Sequence, residues 1–393
     1  MKRFLSICLA VLALQLSAFA QDRAGVVCGP YLQNVTTNSF TVMWETDMDA
    51  VAWVEIAPDG DDHWYNRGRQ RFNEDSGCGL LPIGRLHKVV VSGLEPGTTY
   101  RYRIMMRGVK QYMGPGNVSY TRESGSDVFR RNPFRVSTLK EDYDSVSFVV
   151  MNDLHEKDSL LRVLLNACSR TPDFVVYNGD MTSTLMDEGK IASCYMHTTS
   201  EVLAGSVPLF VFRGNHEFRG RSAILWPKHF SSATNKPYTA FRYGDFFFIG
   251  LDSGEDKPDN DIEYSGLYDT LPYLREEAEW LKTVLESEDC RSASARIVFS
   301  HIPPSAKGWQ GNRNVRELFV PLLNKAGIDL MICGHEHRFR IEEAGSESSG
   351  ATFPIWVNKN VERLEVSLCK DATIVLRSFD TDGRQTHAKS FGR

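Results

Sequence analysis

The first third of the chain, residues 26–139, shows the alternating apolar and polar positions of half-buried β-strands. The segments rich in β-branched and aromatic residues are 39–45, 51–56, 87–92 and 99–105. Two longer stretches, residues 58–86 and 107–133, mix aromatic with basic side chains and are predicted to be loops. The pattern therefore predicts an all-β domain over residues 21–139, followed by a polar linker at 140–145.

From residue 147 onward, short continuous apolar runs alternate with stretches of helical periodicity. The runs include VSFVVM, FVVYN, PLFVF, FFFIGLD, RIVFS and IDLMIC, and helices are predicted near residues 158–170, 273–287 and 314–326. Strands that are apolar throughout and alternate with helices are typical of a buried α/β sheet. Residues 145–393 are therefore predicted to form an α/β domain, and strand-like sequence over 355–379 is expected to add a hairpin.

Polar side chains of related chemistry follow five of these apolar runs. They are Asp153, His155, Asp180, Asn215, His301, His335 and His337. Ligands of α/β sheets bind at the carboxyl ends of the strands, so we expect these side chains at one edge. In the pairs Asp153/His155 and His335/His337, an extended backbone would point both side chains to the same side. Imidazole, carboxylate and amide oxygen together suit borderline or hard metal ions.

Each of these pieces alone has an ordinary structural explanation. A single histidine after a strand is more often a hydrogen-bonded core residue than a metal ligand. Of the three Gly-Asp pairs, at 60–61, 179–180 and 244–245, two are expected to be turns. All five pieces in order, each after a buried strand, favour a metal site over chance.

The order D-x-H, G-D, G-N-H-E, H and G-H-x-H resembles the calcineurin-like metallophosphoesterase superfamily. GPYLQ at residues 29–33, within the predicted β domain, adds a resemblance to its purple acid phosphatase branch. LEPGTTY at residues 94–100 resembles the fibronectin type III stretch in which a tyrosine, here Tyr100, forms a corner by bonding back to the backbone. The resemblance implies an all-β sandwich of fibronectin III or immunoglobulin type, followed by an α/β domain with four αββα layers.

The resemblance also implies a role for each residue at the strand ends. One metal ion would be held by Asp153, His155 and His337, and a second by Asn215, His301 and His335. Asp180 would bridge the two ions, and His216 would contact the phosphate and help the leaving group depart. Two ions about 3.5–4 Å apart would neutralise the phosphoryl oxygens and activate a water for in-line attack.

The chain departs from the purple acid phosphatases at two positions. Those enzymes carry a tyrosine ligand where this chain has Ser183, and a D-x-G motif where it has Asp153-Leu154-His155. We expect His155 to replace the tyrosine, so that two divalent ions (manganese, zinc or iron) bind instead of a purple iron(III) centre. In protein serine/threonine phosphatases, position 183 would hold an aspartate paired with the catalytic histidine. Ser183 has no carboxylate, and Glu217 is a candidate for that role.

Charged residues near His216 offer further candidates. Arg213, Arg219 and Arg221 could bind phosphate in a bidentate manner, and surface ion pairs are the alternative reading. The segment 253–270 has six acidic residues and one lysine and is interpreted as a solvated loop. If that loop lay over the metals, it would discriminate against highly charged substrates.

The first twenty residues have the composition of a secretory signal peptide. Two basic residues at 2–3 precede an apolar run over 4–16, and Ala-Phe-Ala at 18–20 precedes the expected cleavage before Gln21. Removing them changes the formal charge from −5 to −7. We therefore expect a periplasmic or secreted protein with no membrane span after signal removal. A mildly acidic protein also has no general attraction for nucleic acid.

These observations predict an exported phosphomonoesterase with two metal ions and a small-molecule phosphoester substrate. A phosphodiesterase acting on nucleotide or lipid-type esters is the alternative, because the superfamily uses one ligand arrangement for both. From another class, the sandwich could be a glycan- or protein-binding module beside a non-catalytic second domain. The fact that all seven ligand positions are filled speaks against that reading.

Overall fold

The computed structural model describes residues 22–66 and 68–392. The expected signal segment, residues 1–20, lies outside the described residues. Among those described, helices are all too short or too polar to cross a membrane. The described chain forms an N-terminal β-sandwich and a larger unit that contains two mixed sheets.

The sandwich is built around one long strand that takes part in both of its layers. Its strands are β1 Val26–Gln33, β2 Ser39–Pro58, β3 Gln70–Asn73, β4 Gly84–Ser92, β5 Thr99–Tyr112, β6 Val118–Gly125 and β7 Phe134–Ser137. The first part of β2 pairs with β1 and β4 and the second part with β3 and β5, with a register shift between Glu45 and Ala50. Trp44 and Val54, from the two parts, meet in one core. The predicted β-sandwich is confirmed.

Several predicted boundaries in the sandwich were wrong. The two strands predicted at 39–45 and 51–56 are the single strand β2, because the polar residues between them form a bulge and not a turn. The predicted loop at 107–133 contains the end of β5 and all of β6, whose side chains are largely exposed and therefore lack an apolar pattern. The expected tyrosine corner is present, since the Tyr100 hydroxyl accepts a hydrogen bond from the Glu95 N–H at 3.0 Å.

The larger unit contains two six-stranded sheets. Its strands are β8 Ser145–Met151, β9 Phe174–Asn178, β10 Leu209–Phe212, β11 Thr239–Tyr243, β12 Phe246–Leu251, β13 Ala295–Ser300, β14 Leu330–Cys333, β15 Arg340–Glu342, β16 Ile355–Val357, β17 Arg363–Cys369, β18 Ile374–Phe379 and β19 Gln385–Phe391. Sheet A has the order β10-β9-β8-β17-β18-β19, and sheet B has the order β11-β12-β13-β14-β16-β15. Strands β8, β9 and β10 are parallel, as are β12, β13, β14 and β16. The tail hairpin β17–β18 extends sheet A beside β8.

Helices cover the outer faces of the two sheets. They are α1 Asp158–Asn166, α2 Gly189–Ile191, α3 His197–Leu203, α4 Trp226–His229, α5 Thr270–Leu285, α6 Glu288–Arg291, α7 Gln310–Asn314 and α8 Val320–Leu323. The π-helical turns Ala192–Met196 and Val315–Phe319 join α2 to α3 and α7 to α8. The helical segment from α2 to α3 was not predicted from the sequence.

Alternation along the buried strands explains the four layers. In β8, Phe148 faces sheet B, where its ring lies 5.6 Å from that of Phe248 in an edge-to-face contact. The neighbouring Val149 points the other way, into a cluster with Leu161 of α1. On sheet B, Ile249 packs in the same manner against the cluster that contains Leu274 of α5. Both faces of each sheet are therefore apolar, and the predicted αββα arrangement is confirmed.

Candidate metal centre

Five strand ends from both sheets bring the predicted site residues together. Strands β8, β9 and β10 of sheet A end directly before the segments 152–155, 179–180 and 213–216. Strands β13 and β14 of sheet B end directly before His301 and the segment 334–337. Because the two sheets pack face to face with these carboxyl ends at one edge, side chains far apart in sequence converge there.

The backbone at this edge is not extended, in contrast to the expectation from the sequence. Five of the seven residues adopt left-handed conformations, with φ between 45° and 70°: Asp153, His155, Asp180, His335 and His337. Such conformations are uncommon for residues other than glycine and cluster at functional sites. The two D-x-H and H-x-H pairs converge through tight turns, so the expectation of an extended backbone was wrong.

Two glycines allow the strand ends to approach closely. A Cβ added at Gly179 would lie 2.4 Å from His301 Nδ1. A Cβ added at Gly214 would lie 2.2 Å from Asp180 Oδ1. Both distances are shorter than any tolerated contact, so the G-D and G-N-H motifs need glycine for steric reasons.

The first group of side chains contains Asp153, His155 and His337. The His337 Nε2 lies 3.2 Å from Asp153 Oδ1 and also 3.2 Å from His155 Nε2. Ligand atoms of the three residues all lie within 4.8 Å of one another. This is the spacing expected of atoms that share one cation.

The second group contains Asp180, His301 and His335, again with ligand atoms within 4.8 Å of one another. The His301 Nε2 lies 3.0 Å from Asp180 Oδ2, and His335 Nδ1 lies 3.0 Å from Asn215 Oδ1. Asp180 also belongs to a group with His155 and His216. Asp180 therefore stands between the two sets of side chains.

Unpaired buried atoms show that the edge suits a cation. Within the described part of the chain, Asp153 Oδ1 and His301 Nε2 are buried and make no hydrogen bond of good geometry, although His337 Nε2 lies 3.2 Å from the first and Asp180 Oδ2 lies 3.0 Å from the second. Leaving such atoms unpaired is costly, and a bound metal ion would satisfy both. His301 Nδ1 donates to the Asn178 carbonyl at 2.8 Å, which directs the free Nε2 into the site.

The electrostatics point the same way. Burial would lower the pKa of His301, but the carboxylates of Asp180 and Asp153 raise it to about 10. Burial lowers the pKa of His335 and of His155, which favours the neutral imidazole that binds metal. Burial would raise the pKa of Asp180, yet His301 holds it below its usual range. The carboxylates thus attract a positive charge to the site, and a divalent cation can replace the proton on His301.

Glu217 stabilises the backbone of the site and makes no hydrogen bond to the His216 ring among the described residues. Its buried carboxylate accepts hydrogen bonds from the backbone N–H groups of Asp180, Thr182 and Gly214, each at 2.9 Å. These hydrogen bonds explain the glutamate of the G-N-H-E motif. From the sequence alone, Glu217 is also a candidate partner for His216. A glutamate directly after a ligand motif is a sequence signal for a buried residue that holds the backbone of the ligand residues by hydrogen bonds.

His216 is oriented by a backbone carbonyl. Its Nδ1 donates to the Ser183 carbonyl oxygen at 2.9 Å, and its Nε2 lies 3.9 Å from Asp180 Oδ2. The Ser183 hydroxyl donates to Glu156 at 2.9 Å and lies 3.5 Å from His155 Nδ1. The main-chain carbonyl of Ser183 therefore orients His216. A comparison of the side chains found at position 183 could not reveal this contact.

The three candidate arginines have different surroundings. Arg213 is buried and directs its Nε and Nη2 at Asp252, at 3.0 and 2.6 Å. Arg219 contacts Glu255 and Asp256 at 2.9–3.2 Å. Arg221 is exposed and donates through Nε to the Met186 carbonyl. Arg213 and Arg219 are held in ion pairs with these acids, while Arg219 Nη1 lies 3.4 Å from His216 Nε2. Phosphate binding by the three arginines stays a prediction.

The acidic segment 253–270 is also not simply a solvated loop. Glu255 and Asp256 are buried, at 1% and 6% exposure, where they pair with Arg219. Asp259 accepts a hydrogen bond from the N–H of Thr270 at the start of α5. Only part of the segment is solvent-exposed, and its first acids belong to the wall beside His216.

The sequence matches two protein families over adjoining stretches. Residues 146–339 match the calcineurin-like phosphoesterase family. Residues 29–154 match the N-terminal domain of purple acid phosphatases. The matched regions meet at the start of sheet A, within β8 and the turn that follows it.

Curated relatives and solved structures agree with these matches. Purple acid phosphatase 15 of Arabidopsis thaliana is 24% identical over 291 residues, covering 65% of this chain and 49% of that protein. Purple acid phosphatase 23 of the same plant is 21% identical over 393 residues, covering 88% of this chain and 82% of that protein. The chain thus spans about half the length of the first of these relatives.

Among solved structures, purple acid phosphatase PPD1 from yellow lupin (Lupinus luteus) aligns with a TM-score of 0.64 and 14% identity, covering 93% of this chain and 74% of that chain. PhoD aligns with a TM-score of 0.57 and 12% identity, covering 93% and 89%. At these identities the likeness establishes the fold. Over residues 29–339 the family matches show a purple acid phosphatase N-terminal domain followed by a calcineurin-like phosphoesterase domain.

Proposed function

We propose that this protein is an exported phosphomonoesterase with two metal ions that hydrolyses a small-molecule phosphoester. The observation that carries the proposal is the convergence of seven metal-type side chains from five strand ends, with Asp180 within reach of His155 from the first group as well as of His301 and His335. The set contains imidazole, carboxylate and amide groups and no thiolate, which suits manganese, zinc or iron(II).

The proposed ligand assignment follows the two groups. Asp153, His155 and His337 would hold one ion, Asn215, His301 and His335 the other, and Asp180 would lie between them. When bound, two such ions supply Lewis acidity that offsets the phosphoryl charge and acidifies a water for in-line attack. The chain itself fixes the carboxylates, because the His335 N–H donates to Asp153 Oδ2 and the His216 N–H donates to Asp180 Oδ1, each at 2.9 Å.

His216 is the proposed catalytic residue of the protein. The Ser183 carbonyl fixes the proton on Nδ1, so Nε2 is the ring atom that faces the site. The side chain is 28% exposed, which leaves Nε2 accessible to a substrate. We infer that His216 acts as an imidazolium, which keeps its Nδ1–H on the Ser183 carbonyl while Nε2–H contacts the phosphoryl group and donates its proton to the leaving-group oxygen as the bond from that oxygen to phosphorus breaks.

The test is phosphate release from 4-nitrophenyl phosphate by protein loaded with manganese, zinc or iron(II). We expect hydrolysis with at least one of these metals and slower hydrolysis of bis(4-nitrophenyl) phosphate. Faster turnover of the diester would favour the phosphodiesterase alternative. Metal-loaded protein that is inert on both esters would overturn the proposal.

The export part of the proposal rests on residues 1–20 alone. Their basic start, apolar run and small residues before Gln21 match the requirements of signal-peptide cleavage. Fractionation of producing cells followed by N-terminal sequencing should find a chain that begins at Gln21 outside the cytoplasm. An intact chain that begins at Met1 in the cytoplasm would contradict export without affecting the catalytic proposal.

A further inference from the structure

A cleft of about 870 Å³ lies beside His216. Its lining combines aromatic and apolar side chains, among them Phe218, Ile224, Leu267, Tyr268 and Tyr273, with three arginines and two acids. Arg219 connects the cleft to the candidate metal centre, because it lines the cleft while its Nη1 lies 3.4 Å from His216 Nε2. An ester whose phosphoryl group contacts His216 therefore has this cleft within reach of its organic part.

Tyr268 and Tyr273 are partly exposed where they line the cleft, Tyr264 is only 2% exposed, and the hydroxyl groups of all three are engaged elsewhere. The Tyr264 hydroxyl donates to Glu255 at 2.7 Å, and the Tyr273 hydroxyl donates to Asp252 at the same distance. The Tyr268 hydroxyl donates to the Phe218 carbonyl at 2.9 Å. A ligand in the cleft would consequently meet aromatic faces and edges, which favour flat or apolar groups.

The charges around the cleft do not favour a second anionic group. The guanidinium groups of Arg213 and Arg219 are already paired with buried carboxylates. Glu263 pairs with Lys257, whereas Arg221 and Asp269, which also line the cleft, have opposite charges and are both exposed. A substrate with further phosphate groups on its organic part would therefore meet one cation balanced by one anion, and no cluster of cations.

We propose that this cleft is the leaving-group subsite and that it selects phosphomonoesters of uncharged, aromatic or otherwise apolar alcohols. The inference rests on the proposed phosphomonoesterase function. Two side chains at the cleft are well placed to test it, because Leu267 and Ile224 are 85% and 80% exposed and make little contribution to the folded core. A bound aryl group would cover both.

The experiment compares Leu267→Asp and Ile224→Asp with a matched control, Ile262→Asp. Ile262 is 93% exposed and lies on the same segment as Leu267, but it does not line the cleft. The substrates are 1-naphthyl phosphate, ethyl phosphate and a nucleoside triphosphate. Binding of 1-naphthol, followed by its fluorescence, gives a second readout that does not require turnover.

We expect wild-type protein to prefer 1-naphthyl phosphate over the other two substrates by at least about tenfold in kcat/KM. Each cleft variant should lower kcat/KM for the naphthyl ester by about fourfold or more, mainly through KM, and change ethyl phosphate less than twofold. Ile262→Asp should match wild type. Equal hydrolysis of all three esters, or equal losses on naphthyl and ethyl phosphate, would overturn the subsite.

The binding readout separates failure of the subsite from failure of the proposed function. Protein that binds 1-naphthol, loses that binding in Leu267→Asp and hydrolyses no ester would retain the subsite and overturn the phosphomonoesterase. Protein that hydrolyses ethyl phosphate but does not bind 1-naphthol would retain the function and overturn the subsite. Protein that neither binds 1-naphthol nor hydrolyses an ester would overturn both.

Discussion

The two sides of His216 use similar residue types but differ in how their polar atoms are satisfied. On the metal side, Asp153 Oδ1 and His301 Nε2 are buried and face other ligand-type atoms at 3.0–3.2 Å, but neither makes a hydrogen bond of good geometry among the described residues. On the cleft side, Arg213 and Arg219 are paired with carboxylates at 2.6–3.2 Å. Buried groups without partners are costly and persist where a ligand completes them. The paired charges on the cleft side therefore stabilise the fold, whereas the buried polar atoms on the metal side are arranged for a ligand.

The largest effect is expected from Asp180→Asn, which removes the shared anion on the metal side. Loss of that charge should weaken binding of both ions and lower kcat/KM for 4-nitrophenyl phosphate about 10³-fold or more, equivalent to several kcal/mol. Steady-state kinetics and metal analysis of the same preparation check this. Activity within tenfold of wild type would show that Asp180 does not lie between two ions.

Removing the buried ion pair on the cleft side should lower the stability of the protein and leave its catalysis unchanged. Arg213→Met leaves the buried Asp252 carboxylate without its cation and should lower the free energy of unfolding by about 3 kcal/mol. Urea denaturation measures this, and the exposed Arg221→Met is the matched control, with a change below about 0.5 kcal/mol. If Arg213→Met folded as stably as wild type but raised KM for phosphate esters, Arg213 would be a substrate ligand after all.

His216 lies between the metal side and the cleft side, and its replacement should affect catalysis without affecting metal content. His216→Asn keeps a polar side chain but cannot donate a proton, so kcat should fall about 10²-fold, or about 2.7 kcal/mol. The loss should be smaller on 4-nitrophenyl phosphate than on ethyl phosphate, because a better leaving group needs less assistance. An equal loss on both esters would argue against a role in leaving-group departure.

The smallest effect is expected from Tyr273→Phe, which removes one hydrogen bond to the Asp252 carboxylate, leaves that carboxylate paired with Arg213 and retains the aromatic ring. The free energy of unfolding should fall by about 1 kcal/mol. The KM for 1-naphthyl phosphate should stay within twofold of wild type, since the ring still lines the cleft. A larger rise in KM would mean that the Tyr273 hydroxyl contacts the substrate.

The sequence predicted which side chains meet at the strand ends better than it predicted the local backbone. The residues after five apolar strands could be read in order, because strand and helix periodicity depends on neighbouring residues. The left-handed turns at Asp153 and His335 could not, since they depend on packing between the two sheets. The glycines before Asp180 and Asn215 were a usable signal, because a side chain there would collide with the facing strand end.

Long-range pairing explains what the sequence could not reveal. Arg213 was a reasonable phosphate candidate beside His216, but its partner Asp252 lies 39 residues later on a strand end of the other sheet. Nothing in the spacing of the two residues indicates that they meet. In the sandwich, β2 was divided in two for a related reason, since its continuation past Glu45 depends on strands that pair with it from both sides.

The most direct test of the account is the number of metal ions that the candidate centre binds. Protein freed of metal with a chelator is titrated calorimetrically with manganese, zinc and iron(II), and phosphate release from 4-nitrophenyl phosphate is followed at each addition. A centre for two metal ions should bind two equivalents per chain of at least one metal, with hydrolysis that appears as the second equivalent binds. Saturation at one equivalent or fewer for all three metals would contradict it.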